Sequence, residues 1–80
     1  MTRPTADEVR ARMAEALGVT EARLQPEAEL VELVSDSYRL VEMAIELQED
    51  YDVILTQADL NAVTSVADLV ELIRARFDEA

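Results

Sequence analysis

The chain contains no cysteine, no histidine and no lysine, and each absence removes a class of function. Without cysteine there is no disulfide framework, no thiolate nucleophile and no thiolate metal site. Without histidine or lysine the common bases that activate a serine are missing, and an arginine guanidinium stays protonated at neutral pH. We therefore expect neither a catalytic residue nor a metal site in this protein.

Glycine, proline and aromatic residues are also scarce, with one Gly, two Pro, two Tyr, one Phe and no Trp among 80 residues. Half of the residues are nevertheless hydrophobic, and this balance favours packed helices over a sheet sandwich. A chain of this length forms one domain at most and buries only about 60% of its unfolded surface. The sequence therefore predicts a single all-α domain over residues 1–80 with a small core.

The only positively charged side chains are seven arginines. Together with eighteen acidic residues they give a formal net charge of −11 at pH 7. Such a surface repels phosphate backbones and is attracted to basic surfaces of other proteins. No apolar run is long enough to span a membrane, and the N-terminus lacks the apolar segment of a signal peptide. We therefore expect a cytoplasmic monomer that binds proteins and neither nucleic acid nor membranes.

The first helix is delimited at both ends by its sequence. Thr5 can cap it and Glu8 completes a capping box, so the helix is predicted over Ala6–Leu17, with Gly18 as its C-terminal stop. From 19 to 35 the helical pattern weakens, and scattered leucines predict a long loop attached to the core. A loop of that length in so small a domain is usually functional.

Three more helices are predicted after this loop. The second starts after Asp36 and continues to Tyr51. Pairs of a cap residue and an acid then predict a short helix over Gln57–Ala62 and a final helix over Val66–Phe77. The expected architecture is a four-helix bundle of three longer helices and one short helix, with a long loop between helices one and two. The capping pairs are Thr56 with Asp59 and Ser65 with Asp68.

The predicted second helix carries apolar residues on two faces. At about 100° per residue, Leu40, Ala44, Leu47 and Tyr51 form one stripe, which predicts the core face, with Met43 beside it as core filler. A second stripe mixes two large apolar residues with two acids. Apolar anchors within a polar rim are typical of interfaces, so we interpret it as a partner-recognition surface, although a solvated face is the plainer alternative. Its members are Tyr38, Glu42, Ile45 and Glu49.

Asp36-Ser37-Tyr38 places one serine hydroxyl at the first turn of the predicted second helix. Serine is common there as a cap residue, but Asp36 can already supply the cap. The free N–H groups and the positive dipole end of a helix N-terminus favour an anion at this position. Ser37 is therefore either a cap residue or a point of attachment.

The order of elements around this motif resembles the acyl carrier proteins of fatty-acid and polyketide synthesis. In that family a phosphopantetheinyl transferase esterifies the serine, and the arm ends in a thiol that carries acyl groups as thioesters. The resemblance implies that Ser37 bears covalent 4′-phosphopantetheine, with Asp36 beside it in the motif. It also implies a carrier that is not an enzyme but a substrate of the transferase and of acyltransferases, ketosynthases or other acyl-processing enzymes. The matching segments are 17–19, 33–38, 41–52 and 64–66.

The resemblance further implies a shelter for the acyl chain between the second and third helices. Val41, Ala44, Leu60 and Val63 are predicted to line this apolar slot. Arg39 departs from the family pattern, in which this position is often acidic, and we expect its charge to repel the partners of ordinary fatty-acid carriers. Two alternatives stay open: a carrier of peptidyl or aminoacyl groups, and an unmodified acidic helical adaptor for a basic partner.

Overall fold

The computed structural model describes residues 3–36 and 38–79, and these form the predicted bundle of four α-helices. The final helix extends two residues beyond its predicted end, because no stop signal follows Phe77. The connection between the first two helices contains two short 3₁₀ turns, Glu21–Arg23 and Leu30–Glu32. No helix among the described residues is long and apolar enough to cross a bilayer. The helices are α1 at Ala6–Leu17, α2 at Tyr38–Tyr51, α3 at Gln57–Ala62 and α4 at Val66–Glu79.

Capping bonds explain where α1 and α3 begin. The Thr5 hydroxyl accepts a bond from the Glu8 backbone N–H at 3.1 Å, and the Glu8 carboxylate accepts one from the Thr5 N–H at 3.3 Å. Thr56 and Asp59 repeat this reciprocal pair at the start of α3. At the end of α1, Gly18 has a φ of 71°, the left-handed conformation that stops a helix with least strain at glycine. Both capping boxes and the glycine stop are confirmed.

One hydrophobic core joins α1, α2, α4 and the long loop. The predicted core face of α2 is confirmed for Ala44 and Leu47, whereas Leu40 and Tyr51 are only half-buried because they lie near the two ends of the helix. Every residue of α3 is at least partly exposed. The core includes Val9, Met13 and Leu17 of α1, Met43, Ala44 and Leu47 of α2, Leu69, Val70 and Ile73 of α4, and Leu24, Leu30 and Leu33 of the loop.

Backbone hydrogen bonds fasten the long loop to the start of α4. The Leu30 N–H donates to the Thr64 carbonyl at 2.9 Å, and the Val66 N–H donates to the Ala28 carbonyl at 2.9 Å. The Ala67 N–H donates to the carbonyl of Pro26 at 3.0 Å. These bonds satisfy backbone groups that a loop would otherwise expose, and they fix its path across the bundle.

Asp68 accepts bonds from backbone N–H groups just before α4, and these bonds lower the pKa of its carboxyl group. Its Oδ2 lies 3.2 Å from the Thr64 nitrogen and 3.3 Å from the Ser65 nitrogen. Because the pKa of Asp68 in the folded protein is below the ordinary value of 3.8, its ionised carboxylate stabilises the folded state fully at pH values above 3.8. This stabilisation is lost as the pH falls through the lower, folded pKa, where the carboxyl group takes up a proton.

We therefore expect Asp68→Asn to lower the Tm at pH 7 by a few degrees, and this deficit should shrink towards pH 3. Asp52→Asn is the matched control, because Asp52 is exposed and has a φ of 53°, a conformation that asparagine tolerates equally well. Thermal melts at both pH values measure the effect. A deficit that stays constant with pH would show that the charge of Asp68 is not what stabilises α4.

Candidate functional site

The start of α2 is the predicted attachment region, and Ser37 itself lies outside the described residues. Its neighbours are described. The Asp36 carboxylate accepts a bond from the Tyr38 backbone N–H at 3.0 Å, and the Asp36 carbonyl accepts one from the Arg39 N–H at 3.0 Å. Asp36 therefore caps α2, and both it and Tyr38 are exposed to an approaching protein.

The predicted recognition stripe lies on the exposed face of α2. Tyr38 is 64% exposed and Ile45 is 49% exposed, although both are large apolar residues. Glu42 and Glu49 are exposed on the same face. The structure thus places the four residues on one exposed face of α2, from its first turn at Tyr38 to its last turn at Glu49, while their recognition by partner enzymes stays a prediction. Sequence reasoning missed Val31 and Ile54, which are also exposed, because loop residues carry no periodic signal.

A largely apolar cavity of about 340 Å³ lies between α2, α3 and the long loop. Three predicted slot residues, Val41, Leu60 and Val63, line it. Ala44 does not line it, because it lies one turn further along α2 than Leu40 and its short side chain is buried in the core. Sequence reasoning missed the walls that the loop and α4 contribute. The additional apolar walls are Leu30, Val31, Leu40, Met43 and Leu69.

A second cavity, polar and about 440 Å³ in volume, lies between the end of α1, the long loop and the start of α2. Arg39 lines it, and one of its Nη atoms donates to the Leu17 carbonyl at 3.4 Å. The guanidinium therefore points back to the C-terminal end of α1, where a cation is favoured by the helix dipole. Arg23, Glu32 and Ser35 also line this cavity. The expectation that Arg39 repels certain partners stays a prediction.

Comparison with known proteins identifies the family. Residues 7–73 match the family model described as the phosphopantetheine attachment site. The chain is 31% identical over 70 residues to the acyl carrier protein of Thermotoga maritima, covering 86% of each chain. The chain belongs to the phosphopantetheine-binding acyl carrier family. The acyl carrier protein of Clostridium acetobutylicum is a further relative, 28% identical over 74 residues, which cover 91% of this chain and 96% of the relative.

Family membership confirms the resemblance seen in the sequence and identifies the cofactor as covalently attached 4′-phosphopantetheine. The described surroundings of the motif fit this group. The residues on both sides of Ser37 are exposed, as modification by an enzyme requires. The polar cavity between the end of α1, the long loop and the start of α2 is lined by Arg23 and Arg39, whose charge is opposite to that of a phosphodiester.

Proposed function

We propose that Ser37 is the attachment residue and that the protein carries acyl intermediates in fatty-acid or polyketide-type biosynthesis. The observation that supports this most directly is the Asp36-Ser37-Tyr38 motif at the start of α2, inside the segment that matches the family. When bound, phosphopantetheine supplies a terminal thiol that forms thioesters, and this cysteine-free chain offers no competing thiol. The chain itself caps the helix, exposes the motif and presents a surface to enzymes.

In this role the protein is a substrate and not an enzyme. Its partners are a phosphopantetheinyl transferase, which uses coenzyme A, and acyltransferases, ketosynthases or other acyl-processing enzymes. That the protein is a cytoplasmic monomer with one domain over residues 1–80 stays a prediction. Intact mass after treatment with a broad-specificity transferase and coenzyme A tests attachment. The expected result is the addition of one phosphopantetheine, whereas an unchanged mass with several active transferases would favour the unmodified adaptor.

The apolar cavity is proposed to shelter the acyl chain. Burial of each methylene contributes about 0.8 kcal/mol, so longer saturated chains should raise the Tm of the acylated protein stepwise. Val63→Gln should weaken this dependence, because it places a polar amide on the wall of the cavity. Ile54→Gln is the control, since Ile54 is 77% exposed and does not line the cavity. A Tm that is independent of chain length would show that the chain stays in solvent.

The stripe Tyr38, Glu42, Ile45 and Glu49 is proposed to dock partner enzymes. Glu42→Lys should slow association with a cognate enzyme several-fold, most strongly at low salt, because it reverses a charge that steers basic surfaces. Ile45→Ala should weaken binding with little salt dependence. Glu27→Lys, an exposed reversal outside the stripe, is the matched control. Association rates measured at two salt concentrations test this proposal. If Glu42→Lys and Glu27→Lys slow association equally, the effect comes from the overall charge of the protein and not from the stripe.

A further inference from the structure

The short helix α3 lies between two points at which the chain is fixed to the rest of the bundle. Before α3, the Leu55 N–H donates to Gln48 Oε1 of α2 at 3.0 Å, and the Leu55 side chain is buried. After α3, the Thr64 carbonyl accepts the Leu30 N–H of the long loop at 2.9 Å. Residues 56–63 therefore form a segment with fixed ends, and no residue of α3 itself is fully buried.

One carboxylate joins the middle of this segment to α4. Asp59 Oδ1 accepts a hydrogen bond from an Nη atom of Arg76 at 2.6 Å, and both side chains are partly buried. Asp59 Oδ2 accepts the Thr56 N–H at 3.0 Å. The Thr56 N–H and the Arg76 guanidinium lower the pKa of Asp59, so this carboxylate is charged at neutral pH. Among the described residues, the remaining side-chain hydrogen bonds of α3 stay within the helix and its cap.

The same helix forms one wall of the apolar cavity. Gln57 and Leu60 of α3 line this cavity together with Val63 just after the helix, and α2 and the long loop line it as well. Asp59 precedes Leu60 directly, and neighbouring residues of a helix point about 100° apart. Because Asp59 contacts α4 while Leu60 lines the cavity, the ion pair fixes the position of the cavity wall.

We propose that the ion pair Asp59–Arg76 is a latch that holds α3 against the bundle, and that its opening lets an acyl chain enter and leave the apolar cavity. When the pair separates, the segment between Leu55 and Thr64 moves away from α4, and Leu60 moves with it. Asp59 and Arg76 are positioning residues, because neither lines the cavity. The latch rests on the proposed function only for the identity of the molecule that occupies the cavity.

Amide hydrogen exchange of the unmodified protein tests the latch without any cargo. The Leu60 N–H donates to the Thr56 carbonyl at 3.1 Å and reports the opening of α3. The Leu47 N–H lies in the core of the bundle and reports global unfolding. Arg76→Gln should speed exchange at Leu60 roughly two- to five-fold, because α3 then opens without breaking an ion pair. Unchanged exchange at Leu60 would overturn the proposal.

Arg74→Gln is the matched control in the same helix. Arg74 contacts Glu71 and the Pro4 carbonyl, and these contacts stay in place when α3 opens. The control should therefore speed exchange at Leu47, which requires global unfolding, but not at Leu60. Equal acceleration at Leu60 in Arg74→Gln and Arg76→Gln would contradict a latch between α3 and α4.

A second variant shows whether the two side chains act as a pair. Asp59→Asn removes the charge but keeps an oxygen that can accept the Thr56 N–H, and it should also speed exchange at Leu60. The double variant Asp59→Asn with Arg76→Gln should exchange no faster than the faster single variant, because either substitution already removes the pair. Accelerations that multiply in the double variant would show that the side chains act separately.

Cargo gives a readout that a merely structural ion pair would not change. A transferase and decanoyl-coenzyme A load a decanoyl chain whose terminal methyl group is isotopically labelled, and intact mass shows whether loading succeeds. A failure of attachment is thus recognised separately from a failure of the latch. Nuclear magnetic resonance then measures how fast the methyl group exchanges between the cavity and solvent.

This methyl exchange should be roughly two- to five-fold faster in Arg76→Gln than in the wild type, and unchanged in Arg74→Gln. Faster hydrogen exchange at Leu60 with unchanged methyl exchange would overturn the proposal, because cargo would then enter and leave by another route. A methyl group that stays in solvent in the wild type would refute both the shelter and the role of the latch.

Discussion

Ser37→Ala should abolish the attachment of phosphopantetheine completely, because the ester requires the hydroxyl oxygen and no other residue at the start of α2 provides it in this position. Ser35→Ala is the matched control, since Ser35 is exposed, lies two residues away and should leave loading unchanged. Intact mass after the transferase reaction measures both variants. The pair therefore separates the attachment residue from a neighbouring serine in the same loop.

The Ser37→Ala variant should also fold normally, which keeps the result interpretable. The Asp36 carboxylate accepts the Tyr38 N–H at 3.0 Å, so the cap of α2 does not depend on the Ser37 hydroxyl. We expect the Tm to change by no more than a few degrees. Modification that persists in Ser37→Ala but disappears in Ser35→Ala would move the attachment site to Ser35.

Leu47→Ala should produce the largest loss of stability, about 2–5 kcal/mol, because it leaves a cavity where α1, α2 and α4 meet. Leu47 is fully buried, and it packs in one cluster with Met13 of α1 and Ile73 of α4. For a domain of this size such a loss lowers the Tm by roughly 10 °C or more. Denaturant unfolding gives the loss in the free energy of unfolding directly, provided that the variant and the wild type have the same m-value.

Ile45→Ala is the control for this substitution, since it truncates an apolar side chain two residues earlier in α2 that is 49% exposed. We expect it to cost less than about 1 kcal/mol. If the two variants lost equal stability, the division of α2 into a core face and an exposed face would be wrong. If Leu47→Ala alone is destabilised, the exposed face is available to partners without a structural role.

The short helix α3 forms part of the wall of the apolar cavity. Its apolar residues are at best half-buried, and Leu60 lines the cavity. An ion pair between Asp59 and Arg76 at 2.6 Å ties α3 to α4. Few buried contacts make α3 the least strongly packed of the four helices, and local stability follows such contacts. The α3 side of the proposed slot is therefore the part of its wall that we expect cargo to displace most easily.

The sequence by itself determined the helices whose ends are set by local bonds. The bounds of α1 and α3 follow from Thr5 with Glu8, from Gly18 and from Thr56 with Asp59, because a capping bond joins residues only three positions apart. The exposed stripe on α2 was likewise predictable, since helical periodicity alone decides which side chains share a face. The end of α4 was less predictable because no residue there stops the helix.

Only the tertiary structure decided which side chains line the cavities. Ala44 was assigned to the slot from its place on α2, but only the packing of α1 and α4 against α2 shows that it is buried in the core. Arg23 and Arg39 belong to different elements, and no periodic pattern relates residues so far apart in the sequence. They reach one cavity because backbone bonds from residues 26–30 to residues 64–67 fix the path of the long loop. Such long-range bonds depend on the whole bundle, so the sequence alone does not reveal which side chains they bring together.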